Sequence, residues 1–145
     1  MYDHILFPTD GSDCADEALG HAIEHALQYD ATLHALYVAD VREVGHTAPA
    51  LSPDRIKDAL YDTANNVLED VASKARAEGA DIETTIAEGT PASVILDHTE
   101  RDEVDLVVMG THGRSGLDRY LLGSVAERVV RGSSVPVLTV RQADE

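Results

Sequence analysis

Cysteine occurs once in the 145 residues, at Cys14. A lone thiol excludes an internal disulfide and fits a reducing compartment. Lysine is nearly as scarce, with only Lys57 and Lys74, and 11 basic residues face 27 acidic ones for a formal net charge of −16. A surface of that sign repels nucleic acid and anionic membranes, so neither is an expected partner. The acidic surplus reads as a solubility adaptation, and the salt-rich cytoplasm of a halophile is the setting it suits. No stretch approaches the roughly 18 consecutive apolar residues of a membrane span. Met1-Tyr2-Asp3-His4 lacks the basic start and long apolar region of a secretory leader, so a cytoplasmic location is expected. Two common loop fingerprints are also missing. No glycine-rich loop ends in Gly-Lys-Ser/Thr, which excludes a P-loop, and the first strand–helix turn, Pro8-Thr9-Asp10-Gly11, is not G-x-G-x-x-G.

What is present alternates between strand and helix patterns. Ile5-Leu6-Phe7 is a short apolar run stopped by Pro8-Thr9-Asp10-Gly11, which predicts a buried strand and a turn. Ser12 then caps a helix through about Tyr29, with Ala15, Leu19, Ala22, Ile23, Ala26 and Leu27 as its apolar stripe. Ala31 to Val38 is the second strand, and residues 40–51 form a loop without a period. Ser52-Pro53-Asp54 opens a long helix that Gly79 ends. A strand over Ile82–Ala87 alternates as one near a sheet edge does. Thr90-Pro91 opens a third helix, and Asp105–Met109 is an apolar, central strand. A last helix covers roughly Gly123–Arg131, and Val135–Val140 is the final strand. Strands alternating with helices imply one doubly wound α/β domain over residues 1–145, with a parallel sheet and helices on both faces. Ligands of such sheets bind beyond the strands' carboxyl ends, where strand order reverses. A reversal between strands one and four would put the loops after Phe7 and Met109 on the rim of one cleft.

The second of those loops is the most informative stretch of the chain. Val107-Val108-Met109 breaks at Gly110, passes Gly113 and Gly116, and restarts as a helix at Gly123-Ser124. Glycines let backbone amides approach a ligand without an intervening Cβ. A helix start aims unpaired N–H groups and the positive dipole end at the same place, which suits a phosphate. The charge distribution agrees. Residues 1–110 carry six basic and 23 acidic side chains, whereas residues 111–141 carry Arg114, Arg119, Arg128, Arg131 and Arg141 against Asp118 and Glu127. The first two helix starts already hold acids, at Asp13, Asp16 and Glu17 and at Asp54, and the third lacks a neighbouring arginine.

Gly110-x-x-Gly113, nine residues, then Gly123-Ser124 resembles the ATP-binding signature of the universal stress protein family. The resemblance extends along the chain through Pro8-Thr9-Asp10, Tyr37-Val38-Ala39-Asp40, Gly89-Thr90-Pro91 and Ser134-Val135-Pro136-Val137. It implies a five-stranded sheet of order 3-2-1-4-5 and a homodimer joined through the C-terminal strand. It puts Pro8, Thr9, Asp10 and Val38 around adenine and ribose. Met109, Gly110, His112, Gly113 and Arg114 would line the phosphate side. Gly123, Ser124 and Val125 would donate backbone N–H groups, and the Ser124 hydroxyl a further bond. The ligand expected is ATP, with Mg²⁺ carried by the nucleotide's own phosphates and water.

Three other features are assigned no active role. His21-Ala22-Ile23-Glu24-His25 has the order of an inverted zinc-peptidase motif, but Ala22 and Ile23 belong to the core stripe and leave the polar residues toward solvent. Cys14 sits among acids that oppose thiolate formation. His112 could act as a base, but a donor facing phosphate or a loop surface residue suits its place better. No catalytic residue and no protein metal site are expected. The function implied is a nucleotide-dependent stress switch or binding module with at most slow hydrolysis. An ATPase or nucleotidyl transferase on the same sheet, or a dimeric stress interaction protein without nucleotide, are the alternatives.

Overall fold

The computed structural model describes residues 1–40, 52–101, 103–112 and 122–142. In chain order the elements are β1 (His4–Pro8), α1 (Asp13–Tyr29), β2 (Thr32–Ala39), α2 (Pro53–Ala77), β3 (Asp81–Glu88), α3 (Pro91–Arg101), β4 (Leu106–Gly110), α4 (Ser124–Gly132) and β5 (Val137–Val140). The expected loop over residues 40–51 lies, apart from Asp40, outside the described residues.

All strand pairs are parallel, and the sheet order is β3-β2-β1-β4-β5. Order reverses between β1 and β4, as a doubly wound sheet requires, and both strands are buried along most of their length. Alternating side chains divide the core into two layers. Ile5, Phe7, Leu33, Ala35 and Tyr37 pack with Leu19, Ala22 and Ile23 of α1 and Leu68 and Val71 of α2. Leu6, Leu36, Val107 and Met109 face Ala92 and Ile95 of α3 and Ala126 and Val129 of α4. Each large side chain fully removed from water contributes about 1.5–3 kcal/mol, so these layers hold the strand ends in place. No helix among the described residues is long and apolar enough to cross a membrane.

Helix boundaries follow local chemistry. The Ser12 hydroxyl accepts from the Ala15 amide at 3.2 Å, and that of Ser52 accepts from Arg55 at 3.3 Å. Gly79 adopts φ +88°, which releases α2 into β3. The last strand is shorter than its apolar run. The Ser133 hydroxyl bonds both the amide and the carbonyl of Val135, so Val135 is spent on a turn and pairing begins at Val137. Gly110, expected to start the loop, is instead the last residue of β4, opposite Val140.

Candidate functional site

Two loops meet at the reversal point. On the first, the Thr9 amide donates to Leu36 O at 2.9 Å and ties the end of β1 to β2. Thr9 is buried, and its hydroxyl accepts from the Gly11 amide at 3.1 Å. The Asp10 carboxylate accepts from the Ser12 amide at 2.9 Å. Asp10 therefore braces the turn into α1, and a carboxylate can accept further bonds at the same time. Pro8 is buried and Val38 half-buried on the layer that holds Leu36. The four residues assigned to the base and sugar side thus lie at the carboxyl ends of adjacent strands.

The second loop leaves β4 tightly packed. A Cβ on Gly110 would come within 2.9 Å of Cys14 Sγ and 3.1 Å of the Cys14 backbone, so α1 and β4 touch where only glycine fits. The Met109 side chain is buried in the core, which leaves its backbone as the part able to face a ligand. Thr111 is buried, donates its amide to Val140 O at 2.9 Å, and places its hydroxyl 3.0 Å from His112 Nδ1. His112 Nε2 is buried and has no hydrogen-bond partner among the described residues. Burying such a group unpaired costs about 1–3 kcal/mol. Gly113 and Arg114, expected beside it, lie outside the described residues.

The start of α4 falls where expected but differs in its donors. Its N-cap is Gly123, which has no side chain to cap with, and Ser124 stands exposed in the first turn. The Gly123 amide, expected to reach a phosphate, donates instead to Thr111 O at 2.8 Å. A Cβ at Gly123 would lie 3.1 Å from that same carbonyl. A side chain there would be tight against the loop's own backbone, before any ligand is considered. The amides of Ser124 and Val125 are the two of the expected three donors left in an uncapped first turn. Val125 packs its half-buried side chain against the core layer.

The arginines also need correcting as a group. Arg128 donates to Ser93 Oγ at 3.3 Å, and Arg131 pairs with Glu127 at 2.8 Å. Glu127 lies in the first turn of α4, so that ion pair cancels an acid that would otherwise oppose an anion. Arg114 and Arg119 are outside the described residues. The charge available at the helix start comes from the backbone rather than from these two side chains.

Thr111 escaped the sequence reading. Its only signal was position: a threonine directly after a buried strand, where a hydroxyl must find a partner inside the protein. His21 and Glu24 are exposed, and the His25 ring bonds His21 O at 2.7 Å. Among the described residues no group of three or more His, Cys, Asp or Glu side chains could hold a metal. Cys14 is buried, with its thiol directed to Val140 O at 3.4 Å. Two cavities lie elsewhere, one of about 790 Å³ between α2 and β3 and one of about 530 Å³ near His34, Glu83 and His98. Neither is lined by a candidate residue, and size alone is a poorer guide than the uncapped helix at the reversal point.

The profile of the universal stress protein family matches residues 1–141. A universal stress protein of Methanocaldococcus jannaschii is 42% identical over 142 residues, covering 98% of this chain and 84% of the relative. The solved structure of a second protein of that organism superposes with a TM-score of 0.88 at 32% identity, covering 100% of this chain and 99% of the other. A universal stress protein crystallised with cAMP superposes with a TM-score of 0.72 at 28% identity, covering 98% of each chain.

Proposed function

The chain belongs to the universal stress protein family, and from that premise we propose that the cleft between β1 and β4 binds an adenine nucleotide, ATP above all. Pro8, Thr9, Asp10 and Val38 hold the base and sugar. The backbones of Met109 and Gly110, with Ser124 and Val125 at the helix start, receive the phosphates, joined by Gly113 and Arg114. The observation that carries this is the first turn of α4. It has no side-chain cap, and it opens at the one place where strand order reverses. The cAMP complex of a 28% identical relative supports a nucleotide in this fold. Mg²⁺ accompanies the phosphates and is held by them and by water.

The protein acts as a nucleotide-dependent switch or binding module. Hydrolysis is at most slow, because the residues named here include no positioned base. Dimers form through β5, which ends the sheet and leaves one edge of Val137–Val140 for a second copy. Titration calorimetry with ATP, AMP, adenosine and inorganic phosphate tests the reading. Saturable binding of ATP, weaker binding of AMP and weaker still of adenosine is the expected series. No heat with any of the three nucleotides or nucleosides, together with protein that purifies free of nucleotide, overturns it.

A further inference from the structure

We infer that the outer edge of β3 docks an extended basic segment of another protein, which joins the sheet as an added strand. The inference is independent of the nucleotide reading. β3 ends the sheet, and among the described residues it pairs only with β2. Its register with β2 runs unbroken from Asp81 to Glu88, and the strand holds neither proline nor lysine. Proline, lysine and bulges are the devices that blunt a sheet edge. The opposite edge, β5, spans only Val137–Val140.

One bond fixes which backbone groups are open. The Gly89 amide donates to Ala39 O of β2 at 3.1 Å. Backbone groups point to alternate sides along a strand, so Glu83, Thr85 and Ala87 turn their amides and carbonyls toward β2. Ile82, Thr84, Ile86 and Glu88 turn theirs to the outer side. The two faces of this edge differ. Ile82 and Ile86 pack on the layer that holds Leu68, and Thr84 and Ile86 line the cavity of about 790 Å³ beside α2. Glu83 and Thr85 line the cavity of about 530 Å³ on the other face. An added strand would send alternate side chains to these two cavities.

Charge selects the occupant. β3 contributes Asp81, Glu83 and Glu88 and no basic residue. Lys57 pairs with Glu88 at 3.4 Å, whereas Asp81 is exposed and the Glu83 side chain, 3.2 Å from His34, is still 70% exposed. Glu69 and Arg76 offset each other in the cavity beside α2, as Arg101 and Glu103 do in the other. A second copy would bring the same acids from a chain of net charge −16, and like charges across a strand pair repel. A segment that alternates apolar residues toward α2 with lysine or arginine toward Asp81 and Glu83 suits both faces.

The test uses the whole protein and a capped peptide of alternating valine and lysine, as long as β3. Hydrogen exchange of the free protein, read by NMR, is expected to find the amides of Ile82, Thr84, Ile86 and Glu88 fast and those of Glu83, Thr85 and Ala87 protected. The peptide should bind with a dissociation constant below about 1 mM and slow the first set. A peptide of the same composition with its valines and lysines in separate blocks should bind about tenfold more weakly, as should alternating valine and glutamate. Thr84→Pro removes an outward amide without costing a bond to β2, and should weaken the alternating peptide about tenfold. Asp81→Asn combined with Glu83→Gln, two isosteric changes at exposed positions, should do the same and flatten the salt dependence. No binding of the alternating peptide at 1 mM, equal binding of the block peptide, or wild-type affinity in the Asp81→Asn, Glu83→Gln protein overturns the inference. So does protection of the outward amides in the free protein: at every concentration it means the chain covers its own edge, and at high concentration alone it gives the edge to a second copy.

Discussion

The two ends of this sheet treat their polar groups differently. At the amino end, the Asp105 carboxylate accepts from the amides of Asp3 at 2.8 Å and His4 at 3.0 Å. His4 Nδ1 lies 3.0 Å from His34 Nε2, and His34 Nδ1 lies 3.2 Å from Glu83, so a chain of bonds crosses β1, β2 and β3. The protein meets its own hydrogen-bonding demand there. At the carboxyl end α1 is likewise closed, by Ser12 and Asp10, but α4 begins at Gly123 without a side-chain cap and His112 keeps a nitrogen unpaired among the described residues. The same strands run through both ends. Between α1 and α4, the difference is spare hydrogen-bonding capacity, which only the start of α4 keeps.

The contrast can be broken most severely at Gly110. Gly110→Val would drive a side chain into the Cys14 backbone and separate α1 from β4. We expect a loss of about 2–3 kcal/mol in unfolding free energy, read by urea denaturation, with ATP binding lost alongside. A fully stable Gly110→Val protein would mean that the two loops are not held by this contact. Next in size, Ser124→Ala should weaken ATP by about tenfold while leaving stability within about 0.5 kcal/mol. Calorimetry and denaturation on the same sample check both halves. Ser12→Ala should do the reverse, costing about 1 kcal/mol of stability through the lost cap. If the two serines behave alike, the distinction between a closed and an open helix start fails.

The smallest effect concerns Asp105. Hydrogen bonds from the Asp3 amide and then the His4 amide hold its carboxyl below its ordinary value of 3.8. A group depressed in the folded state stabilises at pH above its unfolded value, and the contribution is lost as pH falls through the carboxylate range toward the folded value. The side chain is partly exposed, so the effect is modest. Asp105→Ala should lower stability at neutral pH by about 0.5 kcal/mol and flatten the acid limb of the stability profile. An acid limb as steep as that of the wild type would show that this carboxylate is not a source of the acid sensitivity.

Much of the site was legible before any coordinates. Gly110 and Gly123 stand out in sequence because glycine between an apolar strand and a helix has few purposes. The structure adds a second reason for them: a Cβ at Gly110 would meet Cys14 Sγ at 2.9 Å, and one at Gly123 would press on the Thr111 carbonyl at 3.1 Å. Spacing cannot tell a close approach to a ligand from a close approach to the chain itself, because both forbid the same Cβ. Arg131 was counted toward an anion site for a similar reason: sequence records charge but not the Glu127 carboxylate that pairs with it.

By itself the sequence determined the alternation of strand and helix, the helix starts at Ser12 and Ser52, and the buried β1 and β4. These depend on residues close together in the chain, through periodicity, caps and turns. The strand order that sets β1 beside β4 was implied by family resemblance, and the assembled sheet bears it out. Only the tertiary structure decided that Val140 O would take both the Thr111 amide and the Cys14 thiol, that the Gly123 amide would be spent, and that His112 would bury a nitrogen with no partner among the described residues. Each of those outcomes joins residues far apart in sequence, and a buried hydrogen bond is settled by which groups packing brings within 3 Å or so of one another.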